Sequence, residues 1–188
     1  MDKQKIEAAV RELLVGIGED PDREGLVETP ARVARMYEET FAGIALTNDQ
    51  IADMFCKTFS EDVSNDIVVV RDIPCFSWCE HHMALMYNMR ISIGYLPAGK
   101  VLGLSKLARI ADMVCRRLQI QERIGKDILY IICKATGTKN AAVYIEAKHS
   151  CMTARGIKKD GCSTSTLAKS GAFNDASMKA EFMRLIGR

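Results

Sequence analysis

No apolar run in this chain of 188 residues approaches the ~18 residues that a membrane-spanning helix requires, so a helical membrane protein is excluded. The opening segment, Met1-Asp2-Lys3-Gln4-Lys5-Ile6-Glu7, carries charge where a secretory leader places its apolar stretch, and the expected location is the cytoplasm. An excess of one charge is also lacking. The 26 basic residues against 24 acidic ones leave a net charge of +2, too balanced to make nucleic acid or an anionic membrane an expected partner. Any phosphate binding has to come from local clustering. The seven cysteines, at 56, 75, 79, 115, 133, 151 and 162, are odd in number and lack the spacing of a disulfide scaffold. In a reducing compartment they are thiols or metal ligands. No solenoid repeat and no low-complexity linker breaks the chain. One domain is expected over 1–188, with an N-terminal helical region over 1–60 and a core over 61–188.

Hydrophobic residues at 48% and charged residues at 27% match a globular chain. Ile6, Val10, Leu13, Leu14 and Ile17 share one helical face, and Gly18 follows where that helix would stop. Thr29 and Pro30 suit a cap and first helical position for a second helix reaching about Gly43. Ile51, Met54, Phe55 and Phe59 suggest a third. From Asp66 the period changes to two. Ile67 to Val70 is β-branched, and Tyr87, Met89, Ile91, Ile93 and Tyr95 alternate with small or polar residues. Ser105 can cap a helix carrying Leu107, Ile110, Val114 and Leu118, and a further helix carries Ile124, Ile128, Ile131 and Ile132 before Gly137. Val143, Ile145 and Ala147 alternate as a strand. A return strand is expected over 151–159, a Ser/Thr/Gly-rich loop over 160–172, and a last helix through Met178, Phe182 and Leu185. Two antiparallel strand pairs separated by a helical pair give an α+β class. Four strands with two open edges invite pairing between copies, so a homo-oligomer is expected.

Histidine is scarce, and its placement is informative. All three histidines fall in Cys79-Glu80-His81-His82 or in His149-Ser150-Cys151. Cys79 and His82 have the Cys-x-x-His spacing that offers two ligands to one ion, and Cys151 can supply a third. Three protein ligands leave a fourth position for water, the pattern of a catalytic zinc. Cys56, Cys115 and Cys133 lie on apolar helical faces, where cysteine packs as a small hydrophobe, whereas Cys75 and Cys162 stay open as competing ligands. His81 could orient the site or transfer protons. His149 and Cys151, two apart on an expected strand, would project from the same face, and the ordinary pKa of imidazole near ~6.5 suits acid and base work. Lys106 beside Ser105, with Arg109, Arg155 and Arg32, could converge on a polyphosphate. Glu122, beside Gln121, could accept two hydrogen bonds from a guanine edge, although either residue could simply favour a helix start.

Glu28-Thr-Pro-Ala-Arg32-Val-Ala-Arg-Met-Tyr37, Cys79-Glu-His-His82, Gly103-Leu-Ser-Lys-Leu-Ala-Arg109, Gln119-Ile-Gln-Glu-Arg123 and His149-Ser-Cys-Met-Thr-Ala-Arg-Gly156 occur in an order and spacing that resemble GTP cyclohydrolase I. The resemblance runs from about residue 28 to the C-terminus. It implies a hydrolase that opens the guanine ring of GTP with water and rebuilds it as 7,8-dihydroneopterin triphosphate plus formate. That reaction is the first step of tetrahydrofolate and pterin biosynthesis, within one-carbon metabolism. The resemblance also implies one Zn2+ per subunit on Cys79, His82 and Cys151, with His149 as principal acid and base. Catalytic roles extend by the same resemblance to His81, Gln121 and Ser105. Glu122 would anchor guanine, and Lys106, Arg109, Arg155 and Arg32 would contact the triphosphate, some of them from a neighbouring subunit. The implied fold is the tunnelling fold, whose strands join between subunits into a barrel, and bacterial members resemble decamers of two five-fold rings. Trp78 and Leu118 depart from the family's pattern, and Cys162 adds a thiol to a Ser/Thr-rich segment. Two rivals are a zinc-stabilised binding protein, which requires a fourth protein ligand such as Cys75, and a tunnelling-fold nitrile reductase, which requires a nucleophilic cysteine and NADPH.

Overall fold

The computed structural model describes residues 1–60 and 66–188, so the core boundary expected at residue 61 lies outside the described residues. The chain forms two compact units, Met1–Ala42 and Gly43–Arg188. In the first, helix α1 (Lys3–Gly16) starts where the Asp2 carboxylate accepts from the Lys5 N–H at 3.1 Å. It stops before Gly18, whose φ of +89° suits a residue without a Cβ. Helix α2 (Thr29–Thr40) has Pro30 in its first turn, where the missing N–H costs nothing.

The second unit opens with α3 (Asn48–Phe55), closed at its start by a capping box between Thr47 and Gln50. There follow β1 (Thr58–Ser60), β2 (Val68–Cys79), β3 (Ala84–Tyr95), β4 (Lys100–Leu102), α4 (Leu104–Cys115), β5 (Leu118–Gln119), α5 (Gln121–Thr136), β6 (Ala141–His149), α6 (Ser150–Thr153), β7 (Thr164–Ser170) and α7 (Ala176–Leu185). The third helix and β1, grouped with the N-terminal helices in the sequence reading, belong to this unit. Among the described residues no helix is long and apolar enough to cross a membrane.

One sheet has the order β5-β2-β3-β6-β7, antiparallel throughout except for the short β5, which runs parallel to β2. A separate ribbon pairs β1 with β4. Helices α4 and α5 cover one face. Leu107, Ile110 and Val114 from α4 and Ile124, Ile128 and Ile131 from α5 are fully buried against Ile91, Ile93, Val143 and Ile145. Each such side chain contributes about 1.5–3 kcal/mol of burial free energy. On the opposite face Ala142 and Tyr144 pack with Phe173, Phe182 and Ile186. Gly94 is required there because a Cβ would lie 2.7 Å from the Phe182 ring.

Several expectations are corrected. Residues 164–170 form strand β7, not a loop, because they pair antiparallel along the edge of β6, Thr164 opposite Ala147 and Ser170 opposite Ala141. The segment expected as a return strand begins with the helical turn α6, so His149 and Cys151 do not share one strand. Leu118 sits in β5, beyond α4, and Ser105 lies inside α4, whose N-cap is Gly103. Gln121 and Glu122 form the first turn of α5 rather than preceding it. Asn88, at φ +50°, bulges β3 and shifts its register with β6, so Met86 takes the buried position while Tyr87 turns outward. Cys56 ends α3 exposed, its thiol 3.0 Å from the Asp53 carbonyl.

Candidate metal centre and active site

Strands β2 and β3 are joined by a turn over residues 80–83, which Met83 closes at φ +49°. The turn places Cys79 opposite Ala84 at the strand ends and carries His82 on its surface. Met86 of β3 pairs with His149 of β6, so β6 delivers α6 to the same end of the sheet. Tyr87 reaches across to α6, its hydroxyl 3.2 Å from the Thr153 hydroxyl. Cys151 is thereby brought to the turn. One donor atom each from Cys79, His82 and Cys151 lies within 4.8 Å of the other two. Among the described residues no other set of His, Cys, Asp or Glu side chains is gathered so as to hold an ion.

The three residues fit a tetrahedral metal. Bonds of about 2.3 Å to sulfur and 2.0–2.1 Å to nitrogen bring donors to within about 4 Å of one another, a small contraction of the spacing observed. Burial, then the adjacent Cys79 sulfur, push the Cys151 thiol above its ordinary pKa, and a bound cation offsets both effects. Cys75 is turned elsewhere. It lies beside Cys115, and its proximity together with burial pushes the Cys115 thiol well above its usual pKa, while that thiol contacts Met89 Sδ at 3.8 Å.

His149 closes the site from the end of β6. Its Nε2 lies 2.8 Å from Gln121 Oε1. The Gln121 amide is 2% exposed, and its nitrogen faces the carbonyls of Thr164 at 2.9 Å and Ile145 at 3.2 Å and the Thr166 hydroxyl at 3.2 Å. With three acceptors around the nitrogen, the amide oxygen must face the imidazole, so a neutral His149 carries its proton on Nε2 and its lone pair on Nδ1. Burial lowers the His149 pKa, and Glu122 works in the opposite direction. His81 is exposed, with Nδ1 3.8 Å from Cys79 Sγ. Arg155 Nη1 donates to His82 Nε2 at 3.0 Å.

Glu122 lines a groove between α5 and β7 together with Gly125, Lys126, Thr166, Leu167 and Ala168. Gly125 permits this close approach, since a Cβ there would lie 3.2 Å from that of Ala168. Ser105, Lys106 and Arg109 are not brought to the metal turn of the same chain. They sit in the first turns of α4, while its last residue, Cys115, accepts at its carbonyl from Ser77 Oγ at 2.8 Å, near the metal end of β2. The ten-residue step from Ser105 to Cys115 corresponds to about 15 Å of helix. Arg32 lies on α2 in the first unit, its guanidinium paired with Glu28.

A contact that the sequence reading missed ties the turn to α5. Arg123 donates to both oxygens of Glu80, Nη1 to Oε2 at 2.6 Å and Nη2 to Oε1 at 3.1 Å. The only sequence signal was that each residue adjoins a proposed ligand or anchor. Their separation of 43 residues conceals the pairing.

Residues 6–187 match the family model described as GTP cyclohydrolase I. The chain belongs to the GTP cyclohydrolase I family. It is 54% identical over 190 residues to "GTP cyclohydrolase 1" of Clostridium acetobutylicum, covering 98% of this chain and 97% of that protein. It is 56% identical over 191 residues to the protein of the same name from Ruminiclostridium cellulolyticum, covering 98% of each. A Clostridium botulinum relative with this name is 54% identical over 179 residues, covering 93% of this chain and 91% of its own. Among solved structures, an archaeosine synthase QueF-like protein in the apo form aligns with a TM-score of 0.47 at 19% identity, over 60% of this chain and 98% of its own. As a member of the GTP cyclohydrolase I family the chain is an enzyme of the hydrolase class, and its antiparallel strand pairs around α4 and α5 are the tunnelling-fold arrangement.

Proposed function

We propose that the protein is a zinc-dependent GTP cyclohydrolase I that converts GTP and water into 7,8-dihydroneopterin triphosphate and formate, the first step of tetrahydrofolate and pterin biosynthesis. The observation that carries this reading is the gathering of Cys79, His82 and Cys151 within 4.8 Å, at the sheet end where His149 is held by Gln121. These three residues would hold one zinc per subunit, which when bound would supply Lewis-acid chemistry that brings the pKa of water toward about 7. His149 accepts a proton at Nδ1 as water adds to carbon 8 of guanine and returns it to the departing ring nitrogen. Gln121 keeps the proton of the resting imidazole on Nε2. His81 serves proton transfer at the turn. The Glu122 carboxylate accepts from guanine N1–H and the exocyclic amine together, a pairing that adenine cannot offer. Arg155, Lys106, Arg109 and Arg32 bind the triphosphate, and Ser105 helps hold the substrate.

The distance of Ser105 and Lys106 from the metal turn of their own chain supports a site completed by a neighbouring subunit. Among the described residues β7 pairs on one side only, with β6, and its other edge supports strand pairing between copies in a homodecamer. All seven cysteines are free thiols, which fits a reducing cytoplasm. Cys75 lies outside the gathered Cys79, His82 and Cys151 group, which supports the open, catalytic reading over the rival with four protein ligands.

The test is to incubate metal-analysed protein with GTP, assaying formate and dihydroneopterin triphosphate together, before and after chelation and with His149→Ala. Both products forming only with the metal-loaded wild type is the expected result. No turnover at full zinc loading and full assembly overturns the proposal.

A further inference from the structure

Arg117 and Asp127 form an ion pair at 3.3 Å whose side chains are only 14% and 17% exposed. Neither has a part in the chemistry above. Arg117 spends its donors on fixed acceptors: Nε on the Gly43 carbonyl at 3.0 Å, Nη2 on the Leu46 carbonyl at 2.9 Å, and Nη1 on Asn48 Oδ1 at 2.7 Å as well as on Asp127. Asp127 accepts from Asn48 Nδ2 at 3.0 Å through one oxygen and from Gln119 Nε2 at 3.1 Å through the other. Gln119 is 1% exposed. Its second N–H points to the Val114 carbonyl at 3.4 Å, while its Oε1 is buried without a partner among the described residues.

A buried amide oxygen without a donor is unfavourable, yet turning the amide over would set that oxygen against a carboxylate and a carbonyl. Gln119 therefore serves through its two donors, and Asp127 dictates which way it points. The main chain of Gln119 is what matters for the site. It pairs with Cys79 of β2, its carbonyl accepts the Glu80 N–H at 3.0 Å, and two residues later Gln121 begins α5. One anchored residue thus sets both the strand end carrying a metal thiol and the start of the helix carrying Gln121 and Glu122. A buried ion pair is often no more stabilising than apolar packing of the same volume, so the worth of this network lies in the directions its hydrogen bonds impose.

We infer that Asp127 is a positioning residue which, acting through Gln119, holds the metal turn and the guanine-anchoring end of α5 in mutual register. The substrate half of this inference rests on the cyclohydrolase reading; the metal half does not. The test uses full-length protein with Asp127→Asn, and with Gln119→Met as a milder variant that keeps the ion pair. Ile131→Val, a buried methyl deletion one turn further along α5, serves as the stability control. Zinc retention is titrated against a chelator on folded, assembled protein, alongside the KM for GTP and the thermal midpoint. About a tenfold or greater loss of zinc retention in either network variant is expected, with KM raised as well, while Ile131→Val lowers the midpoint and moves neither. Wild-type zinc retention in Gln119→Met, or an equal shift in Ile131→Val, overturns the inference. A wild type that binds zinc and fails to turn over GTP refutes the cyclohydrolase reading and leaves the metal half standing on its own readout.

Discussion

His149 Nε2 and Gln121 Oε1 lie 2.8 Å apart, and the acceptors around the Gln121 nitrogen settle which of them donates. The neutral His149 ring is therefore the Nε2–H tautomer, and nitrogen-15 NMR of the resting protein is expected to show it. An Nδ1–H signal would contradict the network. Substituting His149→Ala is expected to lower kcat by about 10²–10⁴-fold with zinc still bound, as read by product assay together with metal analysis.

Metal dependence should divide sharply between thiols. Cys151→Ser or Cys79→Ser is expected to abolish stoichiometric zinc and turnover together, whereas Cys75→Ser, at a thiol beside Cys115, should retain the metal. Loss of zinc from the Cys75 variant would reopen the fourth-ligand reading. Chelation followed by zinc addition should restore activity in the wild type.

Glu122→Gln removes a charged acceptor while leaving the metal turn intact. A loss of about 10–100-fold in kcat/KM for GTP is expected, the equivalent of one charged hydrogen bond at about 1.5–3 kcal/mol. An undiminished kcat/KM would remove Glu122 from the guanine edge.

The Glu80 and Arg123 fork is partly solvent-exposed, with Arg123 holding the Glu80 carboxyl below its usual pKa. Arg123→Lys keeps the charge and loses the two-point geometry. Its thermal midpoint should stay near that of the wild type while zinc retention falls, a split that thermal melts and chelator titration resolve. A fall in the midpoint without any change in zinc retention would make the pair a surface contact only.

Gly94→Ala places a Cβ 2.7 Å from the Phe182 ring. A destabilisation of about 1–3 kcal/mol from overpacking is expected, read by denaturant unfolding. Phe182→Leu in the same chain should recover part of it, and an additive loss would show that the ring is not the obstacle.

Much of this protein is determined locally. The stripe Ile124, Ile128, Ile131 ending at Gly137 specifies α5 because its apolar residues recur at helical spacing and Gly137 accepts a left-handed φ of +77°. The Cys-x-x-His turn and the order of motifs likewise belong to the sequence, because they depend on residues a few positions apart. What tertiary structure decided are matters of pairing at a distance. The Thr-rich segment 164–170 has no strand period strong enough to declare itself, and it becomes β7 because the edge of β6 is there to satisfy its backbone. Tyr87 turns outward because Asn88 inserts a bulge that alternation cannot foretell. The arms that Arg123 gives to Glu80, and the hold that Asp127 has on Gln119, exist only once strands and helices distant in sequence are packed together. Hydrogen bonds between such elements are chosen by the fold, not by the period of any one segment.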